Sequence, residues 1–285
     1  MGPRFRRSAS LAVGWLADRR IPGPLRSPVY RLYSRITGAD PSEARLGLSH
    51  YPSLGAFFVR SLREGARPID GTPEHLVSPA DSRLVSLDRV SPEGLLQAKG
   101  YGYTVDQLLA GAAEGLDLEG GWAWTLYLGP YDYHRVHTPL AGELVDVRWV
   151  PGDRRSVATK VVERVPRLYA TNERAVLRLE SEHGPYFLVM VGALNVGRIR
   201  VVGVPHGASP ASSPAAEHAG PARFERGDEL ARFEMGSTVI LVLPPGMASQ
   251  ARTDGTALDP AAAETELVGQ KVRLGTAIGR FGPQG

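Results

Sequence analysis

Residues 233–244 read FEMGSTVILVLP, and inside them Ser237 to Leu243 form an apolar, β-branched run entered through Gly236 and closed by Pro244. Apolar runs of this length bounded by turn residues read as strands. Working outward, the same signature recurs at Leu84 to Val90, Trp122 to Leu128, Glu143 to Val150, Ala175 to Leu179, Tyr186 to Leu194 and Arg198 to Val204. After the N-terminal arm, helical spacing occurs in two places. Leu54 to Arg67 can bury Phe57, Phe58 and Leu62 on one side with Arg60, Arg63 and Glu64 outside, and Thr104 is an N-cap for a helix running to Ala112. The expected fold is α+β, mainly β: a barrel- or sandwich-like β-rich body over residues 71–285, preceded by an amphipathic helical region over 1–70. Pro205 to Ala222, rich in Pro, Ala, Ser and Gly without periodicity, reads as an exposed loop within the body.

Composition narrows the chemistry. The 285 residues are 42% hydrophobic and 22% charged, as in ordinary globular proteins. Thirty-three glycines and 23 prolines imply many turns and exclude a helical bundle. With no cysteine, disulfides, thiolate zinc sites and cysteine nucleophiles are excluded. Only three lysines occur, Lys99, Lys160 and Lys271, so a Schiff-base lysine for pyridoxal phosphate has few candidates.

The net charge of +3 hides an asymmetry: residues 1 to 36 hold eight arginines against one acid, Asp18. Trp15, Leu16, Leu25, Val29, Tyr30, Leu32, Tyr33 and Ile36 are interleaved with them. That mixture suits an anionic lipid interface better than nucleic acid. The apolar stretch Leu11 to Ala17 is too short to span a bilayer, and it ends in Asp18-Arg19-Arg20 without the cleavage pattern of a signal peptide.

Reactive side chains concentrate in three segments. Tyr131 to Pro139, YDYHRVHTP, places His134 and His137 three apart, a pattern that fits proton transfer, a metal pair, or histidines on opposite faces of a strand. Ser78 to Arg83, SPADSR, holds Asp81 in a direction set by Pro79, as an orienting partner of histidine or simply as a turn. Gly236-Ser237 is either a β-turn or bulge, or a peptide whose glycine carbonyl can be attacked by the serine hydroxyl.

In order along the chain, AFFVRSLREGARPID (56–70), LVSPAD (76–81), LLQAKGYGY (95–103), YDYHRVHTP (131–139), VPGD (150–153), TNER (171–174), VGALNVGRI (191–199) and MGSTVI (235–240) resemble the proenzymes of phosphatidylserine decarboxylase, a pyruvoyl-dependent lyase family. Two positions depart from the family pattern: Ser82 stands where glycine is frequent, and Met235 replaces leucine.

The resemblance implies that Asp81, His137 and Ser237 form a charge relay for self-cleavage at Gly236-Ser237, giving chains 1–236 and 237–285. Asp81 would fix the tautomer of His137, and His137 would take the Ser237 proton. It implies that Ser237 becomes a covalent pyruvoyl group forming a Schiff base with the substrate amine, with His134 as proton donor or carboxylate-orienting group, and that no metal takes part. It further implies a phospholipid substrate, phosphatidylethanolamine and carbon dioxide as products, and a peripheral position on the cytoplasmic face of the cell membrane, with a homodimer of the two-chain unit allowed. The alternatives are a pyruvoyl decarboxylase of a soluble amino acid, which has no use for the basic arm, and a non-enzymatic lipoyl- or biotinyl-type module.

Overall fold

Antiparallel strands make up most of the regular secondary structure among the described residues. The computed structural model describes residues 8, 12–98, 101–193, 199–205, 222–234, 237–250 and 266–281. The strands are β1 (His75–Val77), β2 (Ser82–Arg89), β3 (Leu95–Ala98), β4 (Tyr101–Tyr103), β5 (Trp122–Leu128), β6 (Arg135–His137), β7 (Gly142–Val150) and β8 (Arg174–Ser181). They continue with β9 (Gly184–Gly192), β10 (Ile199–Val201), β11 (Ala222–Phe224), β12 (Glu229–Phe233), β13 (Ser237–Leu243), β14 (Ala248–Gln250), β15 (Lys271–Val272) and β16 (Ala277–Phe281). An eight-stranded sheet in the order β11-β7-β8-β9-β13-β5-β2-β15 is accompanied by two three-stranded sheets, β1-β16-β14 and β10-β12-β6, and by the β3-β4 pair. The chain is α+β and mainly β, as its runs predict.

The middle of the large sheet explains those runs. β13 lies between β5 and β9, and all seven of its residues are buried. A strand covered on both faces has no polar alternation, which is why its sequence is continuously apolar. Val239, Ile240, Leu241, Val242 and Leu243 are each fully buried, worth about 1.5–3 kcal/mol apiece before chain entropy is counted. The runs at Trp122 and Ser237 coincide with β5 and β13, and the other runs correspond to β2, β7, β8, β9 and β10 with shifted ends.

The N-terminal region is helical in part. Residues 12–17 are helical, and α1 (Gly23–Thr37) follows, with proline in its first turn and Gly38 at φ 87° closing it. A second helix, α2 (Leu54–Phe58), is capped by Ser53, whose side chain accepts the Ala56 N–H. Tyr30 stacks on Phe57 at 4.7 Å, and with Ala44 and Tyr51 they form a small core separate from that of the body. No helix among the described residues is long and apolar enough to cross a membrane.

Two helix expectations need correction. The helix expected to reach Arg67 stops at Phe58, because the following backbone bonds to residues 43–45 instead of continuing its i to i−4 ladder. Arg45 N–H donates to Ser61 O and Arg63 N–H to Glu43 O, at 2.8 and 2.9 Å. Arg60, expected outside, is buried at 4% exposure. The helix at Thr104 has its capping box with Gln107 but is only α3 (Val105–Leu109), ended by Ala110 in the left-handed region at φ 51°. Residues 206–221 of the expected loop lie outside the described residues, as do Arg4, Arg6, Arg7 and Leu11 of the arm.

Candidate active site

Strand register brings the candidate residues to one rim of the large sheet. Across it run Arg83, Tyr127, Thr238, Val191 and Arg174, each paired with the next. One residue further out, Ser237 sits between Leu128 and Gly192. The starts of β2 and β13 and the ends of β5 and β9 therefore meet here. The chain leaving β5 enters the histidine segment, and the chain leaving β12 enters Ser237. Met235 and Gly236 lie outside the described residues.

Ser237 is fully buried, and its Oγ has no hydrogen-bond partner among the described residues; the buried Oγ of Ser82 has none among them either. Buried hydroxyls without partners are uncommon and call for an explanation. His134 adds a third such atom. Its ring is fully buried, Nε2–H donates to Gly129 O at 2.9 Å, and Nδ1 has no partner. Burial pushes its pKa down to about 3, the Gly129 bond acting the other way and the Arg60 charge adding to the depression. The ring is therefore neutral near pH 7, with Nδ1 an acceptor. His134 also clamps the backbone on both sides of the rim: Gly129 follows Leu128, and the His134 carbonyl accepts the Phe233 N–H at 3.0 Å.

His137 belongs to β6, against β12. Its Nδ1 is 2.7 Å from Gly227 O and its Nε2 is 3.2 Å from Tyr133 Oη. Since a carbonyl only accepts, Nδ1 carries the proton and Nε2 accepts from tyrosine. Burial lowers the pKa of His137, opposed by the Gly227 bond. Gly227 has φ +91°, and a Cβ there would meet Ile69 at 2.7 Å, so the turn requires glycine. Thr138 anchors that turn, its carbonyl accepting the Gly227 N–H at 2.9 Å.

Asp81 is buried in the same neighbourhood, and its backbone segment touches His137 through the His137 N–H to Pro79 O bond of 2.8 Å. The expected side-chain bond between Asp81 and His137 is not formed. Its carboxylate accepts from Arg67 Nε and Nη2, at 2.8 and 2.5 Å, and from the Leu274 N–H at 2.9 Å. A guanidinium fork outcompetes a neutral imidazole for those oxygens. Glu43 binds the other side of Arg67 at 2.8 Å, and the three groups form a buried ionic cluster. Nearby, burial raises Asp132 to about 6, although its carboxylate accepts the Gly129 N–H at 2.7 Å.

The structure thus brings Asp81, His134, His137 and Ser237 to one end of the sheet, with both histidine rings committed to backbone carbonyls. Among the described residues no group of three metal-ligating side chains is present. The sequence carried no reading of Arg67, Tyr133 or Gly227, and Phe58 was expected only as part of the buried side of its helix. Arg67, Gly227 and Phe58 lie at or beside the site through contacts distant in sequence, and Tyr133 through His137 four residues on. Phe58 stacks on His134 with ring centroids 4.0 Å apart. Arg67, Tyr133 and Phe58 occur within the family-like segments quoted above, whereas Gly227 carried no signal beyond its place in a turn.

Comparison with known proteins places the chain in a class of decarboxylases made as proenzymes. A family model described as phosphatidylserine decarboxylase matches residues 54–280. The chain is 37% identical to the phosphatidylserine decarboxylase proenzyme of Ectopseudomonas mendocina over 95% of its length and 92% of the relative. The proenzyme of the same name from Coxiella burnetii is 40% identical over 84% of this chain and 86% of its own, and that of Anaeromyxobacter is 39% identical over 95% and 93%. The chain belongs to the phosphatidylserine decarboxylase family.

Proposed function

We propose that the chain cuts itself between Gly236 and Ser237 and then decarboxylates phosphatidylserine to phosphatidylethanolamine. The observation that carries this reading, beside family membership, is the Ser237 hydroxyl: buried, without a hydrogen-bond partner among the described residues, and held between two strands at the rim to which both histidine segments come.

In the cleavage step His137 Nε2 takes the Ser237 hydroxyl proton, Oγ bonds to the Gly236 carbonyl carbon, and the peptide C–N bond breaks as Nε2 returns that proton to the departing nitrogen, leaving an ester and a free amine. Tyr133 occupies Nε2 until that transfer. The Nδ1–H stays on Gly227 O, which performs the orienting task assigned to an acid in other relays. Asp81 acts as a positioning residue, holding through Arg67 and Leu274 the segment whose Pro79 carbonyl receives the His137 N–H. Loss of the Ser237 α-proton then expels the Gly236 carboxylate, and water converts the remaining dehydroalanine to a keto group with release of ammonia.

The orphaned position of Ser237 fits a pyruvoyl group made from it. When present, such a group supplies an electron-poor carbonyl that takes up the electrons left as carbon dioxide departs. His134, neutral and with Nδ1 free, serves this half by accepting a hydrogen bond and orienting the substrate head group, not by giving up a proton.

The arm supports a lipid substrate. Leu25, Val29, Leu32 and Ile36 are exposed along α1 at spacings of four, three and four, and Trp15 and Leu16 are exposed before it. Arg26, Arg31 and Arg35 share that helix. This surface suits peripheral binding to an anionic leaflet, the cytoplasmic face of the cell membrane in our reading. A soluble amino acid as substrate would leave it without purpose. The test is release of carbon dioxide from carboxyl-labelled phosphatidylserine in mixed micelles by purified protein, with Ser237→Ala as the control; wild-type protein that releases none overturns the reading.

A further inference from the structure

Arg60 is a buried cation beside the site whose guanidinium is held neither by an anion nor, unlike that of Arg174, by backbone carbonyls among the described residues. It is 4% exposed, its Nε is buried without a partner, and among the described residues its guanidinium makes no ion pair or hydrogen bond. Its neighbours are all committed. Arg67 takes Glu43 and Asp81, Arg135 takes Glu229 and the Val59 carbonyl, and Arg63 takes the Ala44 carbonyl. What Arg60 does have is the ring of Phe57 beneath it, 5.2 Å from its centroid.

Its location is the seam between the N-terminal helices and the histidine segment. Phe57 and Phe58 precede it on α2, one packed on Tyr30 and the other on His134. Tyr33 of α1 reaches across the same seam, its hydroxyl donating to Pro130 O at 2.8 Å. The positive charge of Arg60 is felt at Tyr33, Tyr133 and His134, so it faces the arm and the site together. Burying an unpaired guanidinium is costly, and evolution has two carboxylates nearby that it spends on Arg67 instead. An arginine fork held open in this way matches a planar or tetrahedral oxyanion.

We infer that Arg60 binds an oxyanion of the lipid head group, carboxylate or phosphodiester, and so seats the substrate between the arm and His134. This assignment rests on the proposed lipid substrate. Wild-type turnover tests that reading alone, and Arg60 variants test this one.

The experiment compares wild type with Arg60→Gln, read by self-cleavage on a mass spectrum and by KM and kcat for short-chain phosphatidylserine. Two inhibitors distinguish the anion: dihexanoyl phosphatidylethanolamine, which has the phosphodiester and no carboxylate, and free L-serine, which has the carboxylate and no phosphate. The expected result is cleaved protein with KM raised roughly tenfold or more, the size expected when a charged hydrogen bond is lost. Loss of inhibition by the lipid alone assigns the phosphodiester, and loss by serine alone assigns the carboxylate. Should Arg60→Gln fail to process, Arg60→Lys is read in the same way, since it keeps the charge and removes the fork. Unchanged KM and unchanged inhibition in the processed variant overturn the inference.

Discussion

Phe58 lies nearly parallel to His134, ring planes 26° apart and centroids 4.0 Å from one another. A residue of the N-terminal region thus forms one wall around the most deeply buried histidine of the body. The same region contributes Arg67 to Asp81 and the Val59 carbonyl to Arg135. The arm and the site are consequently built together, and the arm's effects on chemistry and on membrane binding have to be separated by choice of variant.

Self-cleavage predicts two products, residues 1–236 and 237–285, the smaller one blocked to Edman degradation and lighter by one ammonia than the serine-started peptide. Ser237→Ala should remain a single chain of 285 residues. Intact mass spectrometry of the purified protein checks this, and an uncleaved chain that still decarboxylates would contradict it.

The state of His137 sets a pH profile. Because burial lowers its pKa, Nε2 is available at and below the ordinary histidine value of about 6.5. The cleavage rate of precursor made by cell-free synthesis should therefore stay level from pH 8 through about 6.5 and fall only at lower pH. Gly227→Ala, which forces the turn against Ile69, should displace the carbonyl on Nδ1 and slow cleavage at every pH. A half-rate point at or above the ordinary value, or a Gly227→Ala protein that processes normally, counts against this assignment.

His134 should make the fold acid-sensitive. Its folded pKa of about 3 lies below the unfolded value, so the unfolded chain takes the proton first as pH falls. Its stability contribution is complete above about pH 6.5 and is lost toward pH 3, at up to about 1.4 kcal/mol per pH unit. Asp132, raised to about 6, works in the opposite direction by favouring the folded state as it protonates. Calorimetric melting at pH 7, 5.5 and 4.5 should show a shallower loss for His134→Gln than for wild type. Phe58→Ala, which opens the ring to water, should cost about 3–5 kcal/mol at neutral pH.

Arg67→Gln discriminates between two roles for Asp81. If Asp81 acts by position, Arg67→Gln and Asp81→Asn should both accumulate precursor, because either one breaks the cluster that holds the Pro79 segment. Breaking a buried pair costs about 3–5 kcal/mol, and the retained Glu43 contact places Asp81→Asn toward the lower figure. Normal processing by Arg67→Gln alongside failure of Asp81→Asn would mean that Asp81 contacts His137 directly during the reaction.

Membrane binding should be lost in Leu32→Asp/Ile36→Asp, which places charges on the exposed stripe of α1 without touching its packed face. Cosedimentation with vesicles containing anionic lipid measures this, and salt should weaken wild-type binding only in part, since the apolar contribution is unscreened. Deleting residues 1–36 is a poorer test, because it strips Tyr30 and Tyr33 from Phe57. Full binding by the double variant would locate lipid contact elsewhere.

The sheet was legible where burial leaves a local mark. Trp122 to Leu128 and Ser237 to Leu243 announce themselves because both faces of those strands are covered, and the order of motifs was enough to name the family. What stayed hidden was set by distant pairings. Arg60 sits on a helical period that would put it in water, yet the backbone after Phe58 bonds to residues 43–45 and turns it inward. Likewise, nothing near Asp81 shows that its carboxylate is taken by Arg67, or that a glycine carbonyl holds His137.

The place of β13 carries a further consequence. With the bond before Ser237 cut as proposed, the short chain would still supply the strand between β9 and β5, both from the long chain, and β15 and β16 to β2 and β1 as well. The fragments are interwoven and cannot dissociate without dismantling the central sheet. Folding, by contrast, takes place within one molecule on that proposal, with no association entropy to overcome. Denaturation of the processed protein should therefore be a one-way event, since reassembly becomes a bimolecular search that the precursor never had to make, and the lifetime of the enzyme is governed by its unfolding rate.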